Sequence, residues 1–195
     1  MTKAERTRQF IIEKAAPVFN QKGVAGTSMS DIMEVTKLAK GGLYGHFESK
    51  EALCLEVFSY LTSRTHDGVT QLINEAKTAK DKLYALLDFY DARLLKSNTG
   101  GCCILNFGAE ADDTNPLMKQ KVNEAIIRFK NRFSKIITDG QQSGEFSKNL
   151  DADIYALKAF TMIEGAVLIS KVQNNREHMH TIIAILKKEI DPYLT

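Results

Sequence analysis

Tryptophan is absent from this chain of 195 residues, and proline occurs only three times, at Pro17, Pro116 and Pro192. Each proline removes a backbone donor and crowds the preceding turn, so long proline-free stretches favour helices. No run of about 18 apolar residues occurs, which excludes a membrane-spanning helix. The opening MTKAERTRQF is charged and polar, and no signal peptide is expected from it. Val, Ile and Thr nowhere alternate with polar residues over a long run, so strands are not expected. The three cysteines are an odd count with two adjacent, Cys102 and Cys103, and do not make a disulfide framework. These absences point to the cytoplasm, with thiols reduced.

Apolar residues make up 44% of the chain, enough for a proper core, and charged residues 26%, so the composition is that of a folded protein. The net charge is only +2, but its distribution is uneven. Residues 1–50 hold eight Lys and Arg against five Asp and Glu, leaving the rest slightly acidic. A basic head on a near-neutral body is consistent with nucleic-acid binding, although a small excess is also common on ordinary surfaces.

The apolar spacing predicts an all-α chain of about nine helices. Phe10, Ile11, Ala15, Val18 and Phe19 share a face of the first, with Pro17 expected to bend it or weaken one turn and Gly23 to stop it. Ser28 and Asp31 read as a variant capping box opening a short second helix through Ile32, Val35 and Thr36. A tight linker at 37–39 leads to a third over Lys40–Phe47. Ser49 caps a long fourth helix, Lys50 to about Glu75. Helices follow over about Lys80–Leu95 and Cys103–Ala111. Asn115 and Pro116 open the next, which runs to about Gln142, because Asn caps and Pro suits the first helical position. Two more cover about Ile154–Val172 and Glu177–Ile190.

Two short helices joined by a tight turn can lay the second in a DNA major groove about 12 Å wide. Leu43 and Phe47, four apart, would anchor that helix inward. Lys40, Gly41, Gly42, Tyr44 and His46 would lie elsewhere around it. Gly41 and Gly42 weaken a helix by roughly 1 kcal/mol each relative to Ala, which close approach of backbone to DNA would explain.

The stretch GTSMSDIMEVTKLAKGGLYGHFESKEAL, Gly26–Leu53, resembles the signature of the TetR family. The matching residues are Thr27, Asp31-Ile32, Lys40-Gly41, Leu43-Tyr44, His46-Phe47 and Ser49-Lys50-Glu51. Departures are Met33 and Thr36 where Ala is usual, Lys37 for Gly, Ala39 for a capping Ser, and Gly42 for Thr. The resemblance implies a helix-turn-helix DNA-binding domain over 1–50 and a ligand-binding and dimerisation domain over 51–195. It implies a ligand-responsive repressor that holds a pseudo-palindromic double-stranded DNA operator as a homodimer and is released by a small-molecule effector. Thr27, Tyr44, His46 and Lys50 would hold phosphates. Lys40, with the backbone of Gly41 and Gly42, would lie over base edges, and Lys3, Arg6 and Arg8 would add contacts from the N-terminal arm.

The same resemblance implies dimerisation through the helices near 154–172 and 177–190. The first of these is apolar almost all round, as a helix packed on two sides must be. Candidate ligand-binding residues are Phe58, Phe89, Tyr90, Cys102, Phe107, Phe129, Phe133 and Met162, each of which would serve equally as plain core. Cys102, near a helix start that favours the thiolate, is a candidate electrophile or oxidant sensor, or simply a small buried hydrophobe. No nucleophile–base order suggests an enzyme, no His/Cys spacing suggests a metal site, and no cofactor is expected. The competing reading is a helical small-molecule-binding or scaffold protein that does not bind DNA.

Overall fold

The computed structural model describes residues 1–94, 100–111 and 115–195. Among them are nine α-helices and no extended strand. The helices are α1 (Lys3–Lys22), α2 (Met29–Thr36), α3 (Lys40–Tyr44), α4 (Lys50–Glu75), α5 (Ala79–Leu94), α6 (Cys103–Ala111), α7 (Pro116–Ser143), α8 (Ala152–Val172) and α9 (Glu177–Ile190). A single 3-10 turn, Asp191–Tyr193, follows. None of the described helices is long and apolar enough to cross a membrane.

Local chemistry sets the boundaries. Thr2 and Glu5 form a capping box at the start of α1. Gly23 ends that helix at φ +76°, its N–H donating to the Phe19 carbonyl. Ser28 and Asp31 form the second box, as the sequence led one to expect. Ser49 accepts from the Ala52 N–H, Asn115 from that of Met118 and Asp151 from that of Ile154, each supplying one of the acceptors a helix start lacks. Pro17 lies inside α1 and does not interrupt it. The third helix is shorter than its pattern suggested: regular α3 ends at Tyr44, and Gly45, His46 and Phe47 form a tightened turn on the Gly41 and Leu43 carbonyls.

The chain divides into two compact units. The first takes Met1–Thr65 and the described part of Ser97–Val122, so α6 shares a unit with α1, α2 and α3. Its core includes Ile11, Ala15, Phe19, Ile32, Leu43, Phe47, Leu53, Val57, Phe58 and Phe107, all within 2% of full burial.

The second unit takes the described part of His66–Lys96 and Asn123–Thr195. Leu83, Leu86 and Leu87 of α5, Phe133 and Ile137 of α7, Ala156, Ala159 and Ile163 of α8, and Leu186 and Ile190 of α9 are fully buried there. A polar seam joins α5 to α9: Lys187 pairs with Asp88 at 2.5 Å and His180 with Asp91 at 2.6 Å. Such partly exposed pairs contribute little each, about 0–1 kcal/mol, so the apolar contacts carry the unit.

Phe133 stacks on Phe129 at 4.9 Å between ring centroids and has no solvent exposure. Phe133→Ala is expected to cost about 3–5 kcal/mol, because the ring leaves a cavity that a packed interior does not fill. Denaturant unfolding measures this as a lower midpoint at unchanged slope.

Candidate nucleic-acid interface

The second helix ends at Lys37, whose left-handed φ of 57° turns the chain sharply. Thr36 donates its hydroxyl to the Ile32 carbonyl at 2.7 Å and lies near the Leu38 N–H. The turn delivers the chain to Ala39, the N-cap of α3, whose methyl makes no capping hydrogen bond. Leu43 and Phe47 fix α3 from below, both buried. Lys40, Gly41, Gly42 and Tyr44 are exposed, and His46 is half-buried. The Lys40 ammonium lies 5.8 Å from the centre of the Tyr44 ring, a cation–π pair worth about 0.5–1 kcal/mol at an exposed site. The outward face of α3 thus carries one flexible charge, one aromatic hydroxyl and a bare stretch of backbone.

Among the described residues, nothing requires that bareness. A Cβ at Gly41 would meet no atom within 4 Å, and one at Gly42 only Leu38 at 3.8 Å. Neither glycine has a positive φ. Gly23 differs: it has φ +76°, and a Cβ there would fall 2.0 Å from Glu110.

Two residues predicted to touch phosphate face inward in part. Thr27 is 1% exposed and donates its hydroxyl to the Gly23 carbonyl at 2.6 Å. Lys50 donates its ammonium to the Val24 and Thr27 carbonyls at 2.9 and 3.0 Å. Both therefore shape the α1–α2 turn. Arg8 is likewise engaged within the unit: it pairs with Glu56, donates to the His46 carbonyl and covers the Phe47 ring at 4.1 Å. It ties α1 and α4 to the turn that follows α3. Lys3 and Arg6 are exposed near the start of α1, which begins directly after Thr2.

Asp31 does more than cap. The Lys22 ammonium 2.5 Å away, then the Ser28 hydroxyl and N–H, hold its carboxyl well below the usual carboxylate range. The sequence pattern identified the Ser28–Asp31 box but not the Lys22 tie between α1 and α2.

The candidate ligand-binding residues fall into separate groups. In the first unit, Phe58 and Phe107 touch at 5.3 Å between centroids, and Cys102, 6% exposed, precedes α6. In the second, Tyr90, Phe129 and Phe133 form one cluster, with Phe89 edge-on to Tyr90 at 5.6 Å. Phe160 and Tyr155 complete that cluster, at 5.1 Å from Phe129 and 6.4 Å from Phe133. The sequence reading missed both, because a helix apolar all round does not say which ring faces which neighbour. Met162 instead lines an open depression of about 340 Å³ on α8 and α9, with Gly165, Ile169, His178 and Ile182.

Residues 11–57 match the model of bacterial regulatory proteins of the tetR family, and residues 79–186 that of the tetracyclin repressor-like C-terminal domain. A TetR-family regulator from Cytophaga hutchinsonii superposes with a TM-score of 0.91 at 36% identity, covering 100% of this chain and 98% of that one. One from Chloroflexus aurantiacus gives a TM-score of 0.93 at 33% identity, with the same coverage. The HTH-type transcriptional repressor DhaR of Mycobacterium sp. (strain GP1) is 27% identical over 186 residues, 95% of this chain and 92% of the relative. The chain belongs to the TetR family of transcription regulators.

Gly41→Ala is expected to raise stability by about 1 kcal/mol, since the added methyl meets nothing and the helix gains propensity. A lower unfolding midpoint would contradict this. Cys54 is 1% exposed; its burial, with Glu110 nearby, pushes the thiol up to about 12. It should stay unalkylated by iodoacetamide at pH 8 in the folded protein and react on denaturation, as read by mass spectrometry. Modification of the native protein at Cys54 would contradict that placement.

Proposed function

We propose that this protein is a ligand-responsive repressor whose homodimer binds a pseudo-palindromic DNA operator and is released by a small-molecule effector. The observation that carries the reading is the outward face of α3, where Lys40 and Tyr44 flank two glycines that the fold itself does not require. A backbone stripped of side chains can approach the floor of a groove closely. Lys40 and the peptide groups of Gly41 and Gly42 lie over base edges in this reading, and Tyr44 and His46 hold phosphates. Contacts to phosphate fix register and contacts to bases carry sequence information. Few side chains reach the bases, so DNA shape contributes to selection. Thr27 and Lys50 support phosphate binding chiefly by shaping the turn before α2. The DNA-binding head is assigned to 1–50 and the effector-binding and dimerisation body to 51–195.

The α8 surface supports the dimer. Ile154, Leu157, Leu168, Ile169 and Val172 are all exposed, Val172 by 77%. With Thr161 and Gly165 they form a stripe at three- and four-residue spacing, while Tyr155, Ala159, Ile163 and Val167 face the core. Gly165 has open space above it, which lets a second helix come near. Two heads held this way would meet successive major grooves about 34–36 Å apart. The effector must bind the DNA-incompetent state more tightly to release the operator. Tyr90, Phe129 and Phe133 in the second unit are one candidate apolar wall, and Phe58 and Phe107 in the first unit are a separate one.

The purified protein is expected to select one two-fold symmetric duplex from a random DNA pool. Lys40→Ala and Tyr44→Ala should each weaken binding to that duplex by about 1–3 kcal/mol while costing the fold no more than about 1 kcal/mol, the worth of their cation–π pair. Gly41→Ala should weaken it despite stabilising the fold. Recovery of no preferred duplex at low salt, from folded dimer, would overturn the reading.

A further inference from the structure

Asn106 and Glu110 stand one turn apart on α6, on the same side of that helix. Both reach the end of α1 or the turn beyond it, more than eighty residues away in sequence. The Glu110 carboxylate accepts from the Val24 N–H at 3.0 Å and from the Ala25 N–H at 2.8 Å, one oxygen to each. The Asn106 side-chain amide donates to the Asn20 carbonyl at 2.9 Å, to the Asn20 side-chain oxygen at 3.1 Å and to the Gly100 carbonyl at 2.9 Å. Asn20, 4% exposed, donates in return to the Gly101 carbonyl at 3.2 Å.

The fit leaves no slack. A Cβ at Gly23 would lie 2.0 Å from the Glu110 carboxylate, and one at Gly100 2.5 Å from the Asn20 carbonyl. Carbonyls of the same turn are taken by the Lys50 ammonium, at Val24 and Thr27. The turn from Gly23 to Thr27 is therefore held through its N–H groups by α6 and through its carbonyls by the first residue of α4. The next residue, Ser28, caps α2. Lys50 follows the turn that closes α3 after two residues. Whatever fixes this turn fixes the entry to α2 and, through α2 and α4, the seat of α3.

We propose that Glu110 and Asn106 are positioning residues for operator binding: from α6 they hold the α1–α2 turn in the form that seats the recognition helix, without themselves touching DNA. The proposal rests on the operator-binding reading above. A carboxylate spread over two backbone N–H groups is a charge-assisted, directional tie, stronger than neutral hydrogen bonds and sensitive to small displacements of α6.

Amide hydrogen exchange on the full chain, with and without Glu110→Ala, tests it directly. Exchange should accelerate at Val24 and Ala25 and also at Leu43 and Phe47, by about tenfold or more, while the amides of α8 and α9 are unchanged. Affinity for the duplex selected from the random pool should fall about tenfold. Glu110→Gln, which keeps one acceptor oxygen and the side-chain length, should recover part of both effects and serves as the deciding variant if Glu110→Ala does not fold. Asn106→Ala should act in the same direction. Acceleration confined to Val24 and Ala25, or spread evenly through every helix, would overturn the proposal, as would duplex affinity within twofold of wild type. If the wild-type protein prefers no duplex while the exchange effect still reaches Leu43 and Phe47, the DNA reading fails and the positioning by α6 stands.

Discussion

A five-residue helix containing two glycines does not hold its shape in water. Closing the first helical turn fixes several backbone angles for a single hydrogen bond, and glycine makes that loss larger. Everything attributed to α3 depends on its being held from outside. Leu43 and Phe47 supply the apolar part of that hold, each almost wholly buried. Arg8 supplies the polar part, crossing from α1 to donate to the His46 carbonyl while lying on the Phe47 ring. The missing cap at Ala39 is tolerable because the helix is pinned at its far end.

The polar groups of the first unit are consequently spent on geometry. Thr27, Lys50 and Arg8 carry residue types that suit phosphate, yet each donates to a backbone carbonyl within its own unit. In the proposed reading, contact with DNA is left to the few groups that face outward on α3. Such a division is economical in physical terms: a rigid surface loses little freedom on binding, so weak individual contacts suffice. The second unit shows the opposite pattern. Its rings stack in one cluster while α8 keeps a second apolar face on the outside.

Much of this was legible in the residues. Ser28 with Asp31, Asn115 with Pro116, and Gly23 each state a helix boundary through chemistry that acts within four residues, and the structure places the boundaries there. The inward pair Leu43 and Phe47 was equally plain, because four-residue spacing defines a face. The ties that span the fold were not. No pattern in the sequence links Glu110 to Val24 or Lys50 to Thr27, since these depend on how helices far apart in the chain come together. Thr27 illustrates the same limit: a threonine hydroxyl suits a phosphate or a carbonyl equally well, and only its burial shows which carbonyl it meets. Met162 was grouped with the aromatic residues by type, whereas it lines the depression beside Gly165.

In the operator-binding reading, the exposed backbone of α3 is the surface that meets DNA. Amide chemical shifts of isotope-labelled protein, followed while the selected duplex is added, test it most directly. Gly41, Gly42 and their neighbours through Tyr44 are expected to show the largest changes, with the exposed face of α8 unaffected. Changes centred on α8 and α9, with α3 silent at saturation, would contradict it.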